Sequence, residues 1–169
     1  MWKIVNLRLT KERWAWVGVR LYLGWIFLWA FFDKLFGLGY ATASKNSWLN
    51  GGSPTKGYLS HATTGPLASF YNGLSGSTAV DALFMLALLA IGLATILGVG
   101  TRISGYAGAL LMALLWSTNL PPAQNPIVDE HIIYLILFLA MTVVKPGRWL
   151  GLGEWWSNTK LVKRFPILE

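Results

Sequence analysis

Residues 14–34 read WAWVGVRLYLGWIFLWAFFDK, and their apolar character predicts the fold class. Arg20 is the one charged residue inside the stretch, and the pair Asp33-Lys34 closes it. A helix rises about 1.5 Å per residue, so a helix of this length matches the roughly 30 Å hydrocarbon core of a bilayer. Tryptophans stand near both ends, where the amphipathic indole ring favours the lipid–water boundary. We therefore predict a membrane span over these residues.

Three further apolar stretches predict an all-α membrane protein with a bundle of four transmembrane helices. The predicted spans are residues 14–34, 81–99, 103–118 and 126–144 of a single membrane domain over residues 1–169. The third span is rich in small residues, which permit the close helix contact that holds membrane bundles together. The alternatives for the first span are a buried helix of a soluble protein and a signal peptide cleaved near Ala41-Thr42-Ala43.

Composition and charge narrow the function classes. Apolar residues make up 54% of the chain, charged residues only 12%, and ten tryptophans are present, which is typical of a polytopic membrane protein. The net charge of +7 comes from basic residues at the ends of apolar segments, which favours anionic lipid headgroups over nucleic acid as a partner. The absence of cysteine removes disulfides, thiolate metal sites and iron–sulfur clusters from this chain.

The distribution of Lys and Arg predicts the orientation in the cell membrane. Basic residues are concentrated before the first span and in residues 145–169, whereas the connection before the fourth span carries Asp129 and Glu130 instead. By the positive-inside bias, both termini are expected in the cytoplasm and the long loop 35–80 outside. Loops of that length are usually functional or disordered, and the aromatic residues in this one argue against disorder.

Two connecting segments contain helix signals. The piece GPLASFYNGL at 65–74 is too short to span a bilayer, so we predict a short interfacial or re-entrant helix that starts at Pro66. Before the fourth span, Asn125 is the predicted N-cap and Pro126 the predicted first helical residue.

Arg20 and Lys34 are the first candidate site residues. An arginine in mid-membrane costs about 2.5–3.5 kcal/mol on insertion scales, so we expect Arg20 to face the bundle interior and meet an anion or a quinone carbonyl. Snorkelling of its side chain toward the headgroups is the alternative. Lys34 falls on the same helical face as Arg20, which predicts a polar stripe along one cavity. The alternative for Asp33 and Lys34 is a boundary pair that ends the span.

His131 is the candidate proton donor. Histidine exchanges protons near neutral pH, so His131 with Asp129 or Glu130 is a candidate protonation site for a quinone, and Tyr134 follows on the same helical face. A hydrogen-bonded histidine at the membrane boundary is the alternative. His61 is the other histidine on this side, and a b-type haem between the two has no further support in the sequence.

Several short motifs occur together in this chain. They are Arg20-Leu21-x-x-Gly24, Asp33-Lys34-Leu35, WLNGGSPTKGYL at 48–59, GPLA at 65–68, and Asn125-Pro126 before Asp129-Glu130-His131. In these motifs the sequence resembles the DoxX/DoxD family of four-span membrane proteins over roughly residues 14–148. The long first loop is most similar to the DoxD branch, the larger subunit of archaeal thiosulfate:quinone oxidoreductase. The resemblance implies a part in oxidising thiosulfate to tetrathionate while a membrane quinone is reduced.

A direct reaction of this kind needs three types of group. The candidate cations for the thiosulfate dianion are Arg20, Lys34 and Lys56. Asp33, which precedes Lys34, is included in the same candidate site. The candidate slot for the quinone ring consists of Trp25, Phe27, Phe31 and Tyr134. His131, with Asp129, is the candidate proton donor, and Arg20 is the third candidate catalytic residue. Quinone is expected as a substrate, and no metal or covalently bound cofactor is expected.

Three functions are compatible with these features. The first is a quinone-reactive oxidoreductase subunit of the thiosulfate:quinone type in a respiratory chain. The second is a non-catalytic anchor or assembly subunit of a respiratory or redox complex, and the third is a small carrier of an anion or lipid. The expected partners are membrane lipids, a second protein subunit and further copies of the chain, without nucleic acid.

Overall fold

The computed structural model describes residues 10–123 and 125–169, and within these ranges the chain is all-helical without a β-strand. Lys3 and Arg8, which contribute to the predicted orientation, lie outside the described residues. The described α-helices are α1 (Lys11–Phe36), α2 (Lys56–His61), α3 (Ala68–Gly73), α4 (Thr78–Leu97), α5 (Thr101–Ser117), α6 (Glu130–Val144), α7 (Gly153–Ser157) and α8 (Lys160–Arg164).

Two of these helices, α1 and α4, are long and apolar enough to cross a membrane. α6 is also apolar but has only 15 residues, and α5 has 17. The four predicted spans coincide with α1, α4, α5 and α6 to within a few residues. That all four helices cross a membrane stays a prediction.

Small residues bring the long helices together in pairs. α1 packs mainly against α4, and a Cβ on Gly24 would lie 2.5 Å from the Ile96 side chain. α5 packs mainly against α6, where a Cβ on Gly108 would lie 2.7 Å from the ring of Phe138. Phe138 also meets Phe27 of α1 edge to face, with ring centroids 5.1 Å apart, so the two pairs share one core. Larger residues at these glycines would force the helices apart.

The start of α6 corrects the predicted N-cap. Asp129 caps this helix, because its side chain accepts hydrogen bonds from the backbone N–H groups of His131 and Ile132. Asn125 instead accepts from the N–H groups of residues 127 and 128 and closes a separate turn. Pro126 lies in that turn, so the helix begins four residues later than the proline signal indicates.

The loop between α1 and α4 holds two short helices. The predicted segment 65–74 contains α3, but this helix begins at Ala68 and not at Pro66. Pro66 lies in the preceding turn, where Ala68 N–H donates to the carbonyl of Gly65 and Gly65 has a φ of +80°. α2 was not predicted from the sequence.

Candidate functional site

A cavity of about 1050 Å³ opens at one end of the bundle, beneath the loop 37–77. The end of α1, the start of α4, the end of α5 and the start of α6 all meet there. Its mostly apolar wall includes Phe27, Ala30, Phe84, Leu88, Leu111 and Met112. Its polar groups include Lys34, Lys56, Tyr58, His61, Glu130, His131 and Tyr134. An apolar pocket with a few convergent polar groups is the usual form of a small-molecule site.

The structure brings together only part of the predicted site. Lys34, Lys56, His131 and Tyr134 line the cavity together with Phe27, although they come from α1, the loop and α6. Asp129 adjoins it through His131. The other predicted members lie elsewhere. Phe31 is buried in the hydrophobic core, and Trp25 is 51% exposed on the outer face of α1. Asp33 and Arg20 do not line the cavity.

Asp129 and His131 form a hydrogen-bonded pair at the edge of the cavity. The carboxylate oxygen Oδ2 of Asp129 lies 2.9 Å from Nδ1 of His131, and Oδ1 accepts the backbone N–H of the same histidine at 3.0 Å. Since a carboxylate only accepts, Nδ1 is the donor, which leaves Nε2 for a ligand. Burial alone would raise the pKa of Asp129, but the hydrogen bonds from His131 and Ile132 outweigh it and lower that pKa below its usual range. Asp129 is therefore a carboxylate near neutral pH.

The same segment brings three potential metal ligands together. One ligand atom each from Asp129, Glu130 and His131 lies within 4.8 Å of the others. Both oxygens of Asp129 already accept N–H groups, and Glu130 is exposed. The geometry therefore favours an oriented histidine over a metal centre.

Lys34 is a partly buried cation in the cavity. Among the described residues, no carboxylate oxygen lies within 4 Å of its amino group. The neighbouring Asp33 is 1% exposed and accepts instead from the backbone N–H groups of Tyr40 and Ala41. Asp33 and Lys34 are adjacent in the chain but have different structural roles. Asp33 fixes the turn after α1, while Lys34 faces the cavity.

Arg20 faces the bundle interior as predicted, but its partners are backbone carbonyls and it does not line the cavity. Its side chain is 1% exposed, so it does not snorkel, and its guanidinium donates to the carbonyls of Thr95, Ile96 and Leu150. The first two carbonyls belong to the last turn of α4, where the regular helical donors are missing, although Thr95 also accepts the N–H of Gly98. Arg20 therefore ties α1 to the end of α4 and to the segment after α6, at the end of the bundle opposite the cavity.

The attachment of the loop over the cavity was missed in the sequence. Asp81, in the first turn of α4, is 5% exposed and accepts from both the backbone N–H (3.0 Å) and the hydroxyl (2.6 Å) of Thr55. On the other side, Tyr58 shares a 2.7 Å hydrogen bond with Thr118 at the end of α5, and Asn119 donates to the Tyr58 hydroxyl. Aspartate at a helix start is commonly only a cap, so Asp81 gave no distinct signal.

No protein-family model, curated protein or solved structure matches this chain. The resemblance to the DoxX/DoxD family therefore rests on the short motifs alone. The functional assignment depends on the geometry of the cavity.

Proposed function

We propose that this chain is a four-span membrane protein whose cavity binds a quinone and protonates it during reduction, as in a thiosulfate:quinone oxidoreductase. The single observation that carries the proposal is the cavity itself. One pocket joins an apolar wall around Phe27 to a carboxylate-oriented histidine, His131, and to Lys34, a cation with no carboxylate oxygen within 4 Å among the described residues.

The outer surface of the helices supports the membrane location. Large apolar side chains point away from the bundle along its length. They include Leu83, Leu86 and Leu93 on α4, Tyr106, Leu110 and Leu114 on α5, and Ile133, Ile136, Leu139 and Val143 on α6. Soluble monomers rarely expose contiguous apolar patches of more than a few hundred Å², whereas a bilayer favours such a surface. This pattern on α5 and α6 supports spans there, although these helices are shorter than α1 and α4.

The cavity matches the chemistry of a quinone. The ring is flat and apolar and would lie against the Phe27 wall, while its carbonyl oxygens need hydrogen-bond donors. Reduction adds two electrons and two protons and converts both carbonyls to hydroxyls. Protonated His131 would give a proton to one oxygen through Nε2, held in place by the Asp129 carboxylate, and the other oxygen would take its proton from solvent water. Lys34 would stabilise the negative charge that forms on an oxygen as electrons arrive.

The source of the electrons is the part of the proposal that depends on the family resemblance. Joining two thiosulfate dianions into one tetrathionate dianion releases two electrons, which balances the reduction of one quinone. Lys34 and Lys56 would attract the dianion to the cavity. Lys56 is exposed on the loop, so the anion would approach from the aqueous side.

The test is thiosulfate-dependent reduction of a soluble quinone analogue by the purified chain in mild detergent. His131→Gln should lower the rate about 10²- to 10⁴-fold, the usual contribution of a general acid. The matched control is Lys45→Gln, which changes an exposed loop residue that does not line the cavity and should keep the wild-type rate. Equal rates in H131Q and the wild type would refute the assignment of the proton donor.

A negative result with the wild-type chain is also informative. If native membranes reduce quinone with thiosulfate but the purified chain does not, the chain is a non-catalytic subunit, and a partner carries the redox step. Binding of the quinone analogue to the purified chain, measured by tryptophan fluorescence, then decides whether the cavity still supplies the quinone site.

A further inference from the structure

The segment after α6 folds back across the ends of the long helices. Leu152 N–H donates to the carbonyl of Leu97 at the end of α4, and Arg102 N–H at the start of α5 donates to the carbonyl of Glu169. The Glu169 carboxylate pairs with Lys145, at 2.6 Å, and with Arg148. Residues 149–169, which we call the tail, therefore lie in a fixed position at the end of the bundle opposite the cavity.

The tail has an inner and an outer face. Val162 is 4% exposed, and the indole N–H of Trp156 donates to the carbonyl of Leu168. Six large apolar side chains are instead 44–61% exposed, namely Leu150, Leu152, Trp155, Leu161, Phe165 and Ile167. Hydrogen bonds to the helix ends hold the tail in place without covering these side chains. Their exposure therefore calls for an apolar partner outside the bundle.

The same surface is basic. Lys160, Lys163 and Arg164 are exposed, and among the described residues no carboxylate oxygen lies within 4 Å of their charged groups. Glu154 is the exposed acidic residue of the tail. Exposed Trp, Leu and Phe side chains together with Lys and Arg are the composition of segments that lie in the interface of an anionic membrane.

We propose that the tail docks on anionic phospholipid headgroups, with its exposed apolar side chains in the interface and Lys160, Lys163 and Arg164 on the phosphates. This inference rests on the membrane location given under the proposed function. If α1 and α4 span the bilayer, their ends at Lys11 and Leu97 lie near one surface, and the tail is attached there through Leu97. The occupant is therefore the lipid surface nearest to the tail.

The test uses the absence of cysteine, because a single introduced thiol gives a unique label. The full chain with Leu161→Cys carries a nitrobenzoxadiazole fluorophore in nanodiscs of phosphatidylcholine, with or without 30% phosphatidylglycerol. We expect protection from aqueous iodide and quenching by headgroup nitroxides, both stronger with phosphatidylglycerol. Removing three basic side chains (K160Q/K163Q/R164Q) should lower the docking equilibrium about 100-fold and abolish the difference between the two lipid compositions.

Two controls keep the outcomes separate. K45Q/K56Q removes two lysines from the loop at the other end and should leave the label at 161 protected. A label at Ser44→Cys, exposed in the polar part of the loop, gives the reference for full iodide access. Iodide access at 161 equal to that at 44 in both lipids would overturn the inference, as would protection that appears only after a soluble protein is added. A chain that fails to enter nanodiscs would instead refute the membrane location.

Discussion

Replacing Arg20 by methionine should destabilise the bundle and not act through substrate binding. Arg20 is 1% exposed and donates to three carbonyls, those of Thr95, Ile96 and Leu150. Methionine fills similar space without a donor. The carbonyl of Thr95 keeps a second donor, the N–H of Gly98, whereas the partly buried carbonyls of Ile96 and Leu150 lose their partner. An unsatisfied acceptor away from water costs about 1–3 kcal/mol, which gives about 2–6 kcal/mol for these two. A typical domain has a free energy of unfolding of about 5–15 kcal/mol.

The assay is an SDS titration of the purified chain in mixed micelles, followed by tryptophan fluorescence. We expect Arg20→Met to lose at least about 2 kcal/mol, and Arg20→Lys to lose less, because an ammonium keeps some of the donors. Arg13→Met is the matched control on the same helix. Arg13 is exposed and stacks over Trp149 at 5.3 Å, so its replacement should cost about 1 kcal/mol or less.

Two results would contradict this reasoning. An R20M variant that unfolds within about 1 kcal/mol of the wild type would show that water or other donors satisfy the carbonyls. An R20M variant that stays folded but no longer binds the quinone analogue would restore the substrate role predicted from the sequence. Loss of stability with unchanged quinone affinity in the R20K variant is the expected pattern.

Three further predictions follow from the cavity and its loop. Asp129→Asn should keep the helix cap but lower the rate of quinone reduction, which an activity assay measures. Asp129→Ala should lower that rate and also destabilise α6 by about 0.5–2 kcal/mol, which an unfolding titration measures. Since folding lowers the pKa of Asp129, its contribution to stability is present above its unfolded pKa of about 3.9 and is lost as the pH falls through the lower folded value. The stability difference between the wild type and D129N should therefore be constant above about pH 4 and shrink toward zero at lower pH, as acid unfolding curves of the two would report. Asp81→Ala should leave the Thr55 donors unpaired and release the loop, which faster proteolysis between residues 50 and 65 would report, while unchanged cleavage would contradict the role of Asp81.

The length and periodicity of the apolar segments were sufficient to predict the positions of the long helices, but not the structure of the segments that connect them. A long apolar run has few alternatives to a helix, so helices α1, α4, α5 and α6 lie where the spans were predicted, while the crossing of a membrane by all four stays a prediction. The caps were harder, because Asn125 and Asp129 are both good N-caps. Asp129 caps α6 because its carboxylate reaches two free N–H groups, while Asn125 closes its own turn.

Part of the candidate site could also be predicted from the sequence. Lys34 and His131 were identified because each is an unusual residue at the end of an apolar helix. Arg20 was assigned to the same stripe because helical periodicity places it on the same face as Lys34. Periodicity shows on which face of a helix a side chain lies, but not which residues it contacts. For Arg20, these include the carbonyl of Thr95 at the end of α4.

The sequence by itself determined that the chain is helical, apolar enough for a membrane, free of cysteine chemistry, and equipped with one histidine beside an aspartate. Those properties depend on composition and on residues close together in the chain. Only the tertiary structure decided that Lys34, Lys56 and His131 face one cavity and that Arg20 and Asp33 bind backbone groups. These contacts join residues from different helices and loops, and their distances depend on how the helices pack, which local sequence patterns do not encode.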